Sequence, residues 1–232
     1  ITSDRMAIWA DAFDDVYVIN RGNLIGNDYG IIMGAGIGAN VDSIGDITSR
    51  NGSGMYLVGQ YAAVVTSRGN IIGRDYGIYA RGTFFATLDS TGDVTASNGE
   101  GIHVDAYGGY TSVISRGNIS AYGDGIRAWG ASVATVNSSG NVTSLTGNAI
   151  YASAGGNIDV TVNGGVVSGA LAGLQLDGGA TNTVTVGSTA TVTGGLYAIT
   201  AGAGNDTVNN SGTVTGNVDL GDGSIQVGFA AS

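Results

Sequence analysis

The pentapeptide SRGNI occupies Ser67–Ile71 and recurs at Ser115–Ile119, and a near copy, NRGNL, spans Asn20–Leu24. Between these copies the same slot reads SIGDI at Ser43–Ile47 and STGDV at Ser90–Val94. An apolar residue follows a Gly-Asn or Gly-Asp pair each time, so the stretch reads as a unit of structure that the chain must repeat. A Gly supplies permissive backbone and an Asn or Asp side chain satisfies local backbone groups, which is the chemistry of a turn.

Aligning the chain on the apolar residue after that turn gives Leu24, Ile47, Ile71, Val94, Ile119, Val142, Val166, Val192 and Val214, at intervals of 22 to 26 residues. A second apolar column follows: Ile8, Ile31, Met55, Ile78, Ile102, Ile126, Ile150, Leu174, Ile199 and Ile225. A third precedes each turn: Val18, Val41, Val65, Leu88, Val113, Val136, Val160, Val186 and Val208. Three columns sharing one period are the mark of a solenoid. The segments carrying them are too short for helices, and alternation such as VTVN at Val160–Asn163 has the period of a strand.

The expected fold is therefore all-β: a single right-handed parallel β-helix with about 24 residues and three short strands per coil, in about nine to ten coils. Residues 1–232 form one domain on this reading, a fragment or processed piece of a longer surface protein. Arg21, Arg68 and Arg116 alternate with Asp46 and Asp93, and Asn23, Asn70 and Asn118 fill the Asx slot. These eight residues form an expected structural ladder in which opposite charges on neighbouring coils offset one another.

Composition excludes several functions. The chain has 43 Gly, no Pro and no Cys, and a formal net charge of −10. An acidic chain without lysine lacks the basic stripe that nucleic acid requires, so no nucleic-acid partner is expected. With 43% hydrophobic and 11% charged residues it is not a disordered sequence. Cysteine chemistry is absent, and no apolar run is long enough to span a bilayer as a helix, so the chain itself is not expected to be membrane-spanning.

Candidate chemistry is sparse. An outward column beside the second strand runs Trp9, Ile32, Tyr56, Tyr79, His103, Arg127, Tyr151, Gln175 and Thr200. Within it Trp9, Tyr56, Tyr79, His103, Arg127 and Tyr151 form a candidate binding face for sugar rings or a neighbouring chain. His103 has Tyr79 and Arg127 as column neighbours and no acid beside it in that column, so it reads as a surface histidine. No catalytic, cofactor-binding or metal-ligating residue is assigned, and no cofactor is expected, calcium being the one candidate. Asp11, Asp14 and Asp15 form the densest acidic segment, a solvated loop or a calcium site. A Thr-bearing outward column, Ile25 to Thr215, lacks the second parallel rank that ice binding needs.

Two resemblances bear on function. GAGNDTV at Gly202–Val208 resembles one copy of the calcium-binding nonapeptide of RTX toxins, and LGDG at Leu220–Gly223 echoes it, but the two are too far apart to share an ion. GNDTVNNSGTVTGNVDLGDGS at Gly204–Ser224, with the earlier S-x-G-[ND]-[IV]-T units, resembles autotransporter passenger domains, the secreted β-helical part of type V secretion proteins. That resemblance implies an extracellular or cell-surface rod carried out through an outer-membrane barrel. It implies a non-enzymatic structural or adhesive role: adhesion, aggregation or fibre formation, with partners that are copies of itself or a surface glycan or protein. A polysaccharide-acting enzyme of pectate-lyase type is the alternative, and a calcium-binding module of RTX type the third.

Overall fold

The computed structural model describes residues 1–229, and within them there are 28 strands and no helix. Strands about 24 residues apart pair in parallel and in register, and the result is a β-solenoid with three faces. The first face is a sheet of ten strands, from Met6–Ala12 and Tyr29–Ala35 through Glu100–Ala106 and Ile126–Gly130 to Val218–Asp219. The second begins with Val16–Asn20 and Gly38–Ser43 and the third with Thr2–Ser3 and Leu24–Gly26. These two faces merge into one 18-stranded sheet because Asn157–Gly169 and Thr181–Gly194 run unbroken through both.

Register follows the apolar columns. Ile31, Met55, Ile78, Ile102, Ile126 and Ile150 stack on the first face, and each is fully buried. Val41, Val65, Leu88, Val113 and Val136 do the same on the second, and Leu24, Ile47, Ile71, Val94 and Ile119 on the third. Three inward columns enclosed by parallel ladders form one continuous apolar core, the arrangement that removes most aliphatic surface from water per coil.

Two details of the coil matter for the site. On entering the first face, the chain places a glycine and then the column aliphatic inward in succession: Gly30, Gly54, Gly77, Gly101 and Gly125. A Cβ on any of these would lie 2.2 to 2.5 Å from a methyl of Ile47, Ile71, Val94, Ile119 or Val142. Two consecutive inward residues reverse the strand's parity there. Side chains three apart, not only two apart, then share the outer side.

The second detail is the SRGNI turn. The Asn23 side chain accepts from the Asp46 N–H at 3.0 Å, Asp46 from the Asn70 N–H at 2.8 Å, Asn70 from the Asp93 N–H at 3.0 Å, and Asp93 from the Asn118 N–H at 2.7 Å. Asn118 continues to Asn141. The slot needs an acceptor oxygen facing the next coil, which is why Asn and Asp alternate freely in it. Before the turn, Ser43, Ser67, Ser90, Ser115 and Ser138 point inward at full burial, small enough for a tight corner.

The charge ladder differs from the sequence expectation. Arg21 and Arg68 both pair with Asp42, at 2.7 and 2.8 Å, and Arg116 pairs with Asp89. Asp46 and Asp93 are occupied by backbone N–H groups, and the acids two residues before the turn serer as the arginines' partners instead. Asp42 titrates below the usual carboxylate range because Arg21, and also Arg68, hydrogen-bond to it.

Three column assignments also change. Val142 pairs with Val167, not Val166, and Val166 is 47% exposed while Val167 is fully buried. The second-face column runs Val160, Val184, Val208, so Val186 lies two residues beyond it, in the column of the inward serines. Val218, not Ile225, follows Ile199 on the first face, and Ile225 pairs with Asp206. The cause is a turn that lengthens coil by coil, with a β-bulge between Val162 and Gly164. The outward column consequently passes from Thr143 to Ser168.

Candidate functional site on the first face

The parity reversal at Gly101 and Ile102 assembles the densest cluster of chemical groups on the molecule. Glu100, His103 and Asp105 all face outward from the strand Glu100–Ala106. His103 Nε2 lies 2.8 Å from Asp105 Oδ2, and its Nδ1 meets Glu100 Oε2. The imidazole side chain is only 13% exposed. Burial by itself would push its pKa down, but the hydrogen bonds to Asp105 and Glu100 outweigh that and raise it to about 9. At neutral pH the ring is a cation with both nitrogens donating.

His103 is therefore not the bare surface histidine its column neighbours suggest. Its acids come from its own strand, one two residues on and one three residues back. Both were visible as residues in the sequence; only the corner glycine shows that position 100 shares a side with position 103.

Aromatic rings close over this cluster. Tyr56 stacks on Tyr79 with ring centres 4.6 Å apart and planes at 10°, and Tyr79 lies 4.9 Å from the His103 ring. Tyr76 meets His103 edge-on at 5.6 Å. Desolvation pushes the Tyr79 hydroxyl up to about 12, and it raises Tyr76 as well, with Glu100 adding to the latter. On the following coil, Arg127 lies 3.8 Å from both Glu100 and Asp124 and packs its guanidinium 4.8 Å above the Tyr151 ring. Tyr151 in turn donates to Asp177 at 2.9 Å. Burial raises Asp124 above its ordinary value, against an opposing hydrogen bond from the Asn148 N–H.

Five of the six expected face residues, Tyr56, Tyr79, His103, Arg127 and Tyr151, thus form one unbroken ladder. Trp9 stands apart, 68% exposed, with Ile32 between it and Tyr56. Most ring faces in the ladder are spent on one another, so what remains open is its two flanks. One flank is a recess lined by Asp75, Tyr76, Asn98, Glu100 and Gly123. The other is lined by His103, Asp105, Tyr107, Arg127 and Trp129, where Tyr107 and Trp129 rings lie 5.1 Å apart. Carboxylates and amides beside aromatic rings can grip a polyhydroxylated ligand by paired hydrogen bonds and ring contact.

Among the described residues, no group of three His, Cys, Asp or Glu side chains converges as a metal site, the Asp11, Asp14 and Asp15 segment included. No helix among them is long and apolar enough to cross a membrane. The fold defines the chain as a parallel β-solenoid with a buried ionic cluster on one outer face. Compared with known proteins, it matches no family model, no curated protein and no solved structure.

Proposed function

We propose that this protein is a non-enzymatic extracellular β-solenoid rod of autotransporter-passenger type, acting in adhesion, aggregation or fibre formation. The observation that carries the reading is the uninterrupted in-register ladder on all three faces. Each coil's edge is complementary to the next, so the same geometry that joins coils within a chain can join chains end to end. The flanks of the tyrosine, histidine and arginine ladder supply the lateral contact surface, suited to a glycan or to the outer face of a neighbouring rod. Electron microscopy of the purified protein across a concentration series tests the assembly reading. Rods that lengthen with concentration support it, and a concentration-independent monomer refutes end-to-end association.

One observation favours a second reading, a polysaccharide-acting enzyme. His103 sits between two carboxylates, a familiar grouping in acid–base catalysis. Its ring nitrogens are both engaged, which leaves no free base at neutral pH and supports a positioning role within a binding face. Turnover of neutral or acidic polysaccharides, with or without calcium, abolished by Glu100→Gln, would reverse the preference.

A further inference from the structure

We propose that the inward-facing pair Asn182 and Asp206 forms a cation site inside the C-terminal coils, and that the ion is calcium. The two residues occupy one column of the second face, where earlier coils carry Ala63, Ala86, Ala134 and Ile158 and the following rung carries Ile225. Asn182 is 1% exposed and Asp206 2% exposed. The Asn182 amide donates to Asp206 Oδ1 at 2.6 Å and to the Gly178 carbonyl at 3.3 Å. That leaves Asn182 Oδ1 and Asp206 Oδ2 buried with no hydrogen-bond partner.

A buried carboxylate held by one amide N–H is far from compensated for its lost hydration. No side chain can complete the compensation, because the sequence contains no Lys, Arg or His after Arg127. The charge must be balanced from outside the chain. The surroundings offer oxygen donors only. Asn182 Oδ1 packs against Gly179, whose φ is +79° and where a Cβ would lie 2.1 Å from that oxygen and 3.2 Å from the Gly156 carbonyl. A Cβ on Gly204 would lie 2.5 Å from the Gly179 carbonyl and 3.4 Å from the Asn182 amide nitrogen. Glycine at both positions keeps carboxylate, amide and main-chain oxygens together at one corner.

An oxygen-only, irregular donor set with a single carboxylate suits calcium, which accepts about six to eight oxygens in flexible geometry, better than magnesium, which demands a near-ideal octahedron. One carboxylate places the affinity in the weak range of extracellular calcium modules, about 10⁻⁴ to 10⁻³ M. The site differs from a stacked-turn calcium repeat in that its oxygens face the core rather than the surface.

The test is calorimetric titration of calcium chloride into chelator-stripped full-length protein, paired with thermal melting followed by circular dichroism. Wild type should bind and its Tm should rise by ~5–10 °C at a hundredfold excess over Kd. Asp206→Asn, which keeps shape and hydrogen bonds while removing the charge, should lose the calcium response, whereas the surface control Asp219→Asn should keep it. Absence of calcium binding in wild type overturns the proposal, as does calcium binding retained by Asp206→Asn. Should Asp206→Asn fail to fold, crystals of the wild type soaked in manganese chloride decide the matter. An anomalous peak within bonding distance of Asp206 Oδ2 supports the site, and a peak only at exterior acids overturns it.

Discussion

Replacing His103 with glutamine tests whether the ionic cluster on the first face is organised around a protonated imidazole. Moving a histidine from its ordinary 6.5 to about 9 corresponds to about 3 kcal/mol of preferential binding of the protonated ring by the folded state. Because the folded value lies above the unfolded one, this stabilisation is fully present below about pH 6.5. It falls as pH rises and is gone above about pH 9. His103→Gln should therefore melt ~6–12 °C below wild type at pH 6, taking about 2–4 °C per kcal/mol for a chain of this size. The gap should narrow steadily between pH 6.5 and 9. Tyr79, held neutral up to about 12, does not titrate in that window. Since His103 is the sole histidine, its imidazole proton resonance in a one-dimensional NMR titration needs no assignment. A ring midpoint near 6.5, together with a Tm difference that stays constant with pH, would refute the reasoning.

Three further outcomes follow from the coil geometry. Gly101→Ala puts a Cβ 2.5 Å from an Ile119 methyl and 2.6 Å from the Gly125 carbonyl, so it should cost about 1–3 kcal/mol in denaturant melts, even though alanine disfavours the unfolded chain. Val167→Ala should cost about 2 kcal/mol while Val166→Ala stays within about 0.5 kcal/mol, and equal costs would contradict the register found here. Asn70→Ala removes the acceptor for the Asp93 N–H and should lose about 1 kcal/mol, whereas Asn70→Asp keeps an acceptor and should melt close to wild type at pH 7.

The period of 24, the three apolar columns and the Gly-Asx turn are local and repetitive, so they were legible in the chain from Leu24 to Val142 without any structure. A solenoid coil contacts only its neighbours, and each inward position therefore announces itself at a fixed spacing. The outward column from Trp9 to Thr200 was legible for the same reason, because it is one residue away from an inward one. Where turns lengthen between Val162 and Val192, the spacing no longer identifies the inward residue, and Val166, Val186 and Ile225 were misplaced.

What only the tertiary structure decided is which outward groups meet. The grouping of Glu100 with His103 depends on a parity reversal at a corner glycine, and strand alternation alone would put them on opposite sides. The arginines' choice of Asp42 and Asp89 depends on the Asx slot being consumed by backbone N–H groups. The burial of Asp206 depends on which side of one rung faces the core. Periodicity specifies the ladder because hydrophobic burial acts on every coil alike. Side-chain pairing across coils is set by angstrom-scale direction, which a one-dimensional spacing does not carry.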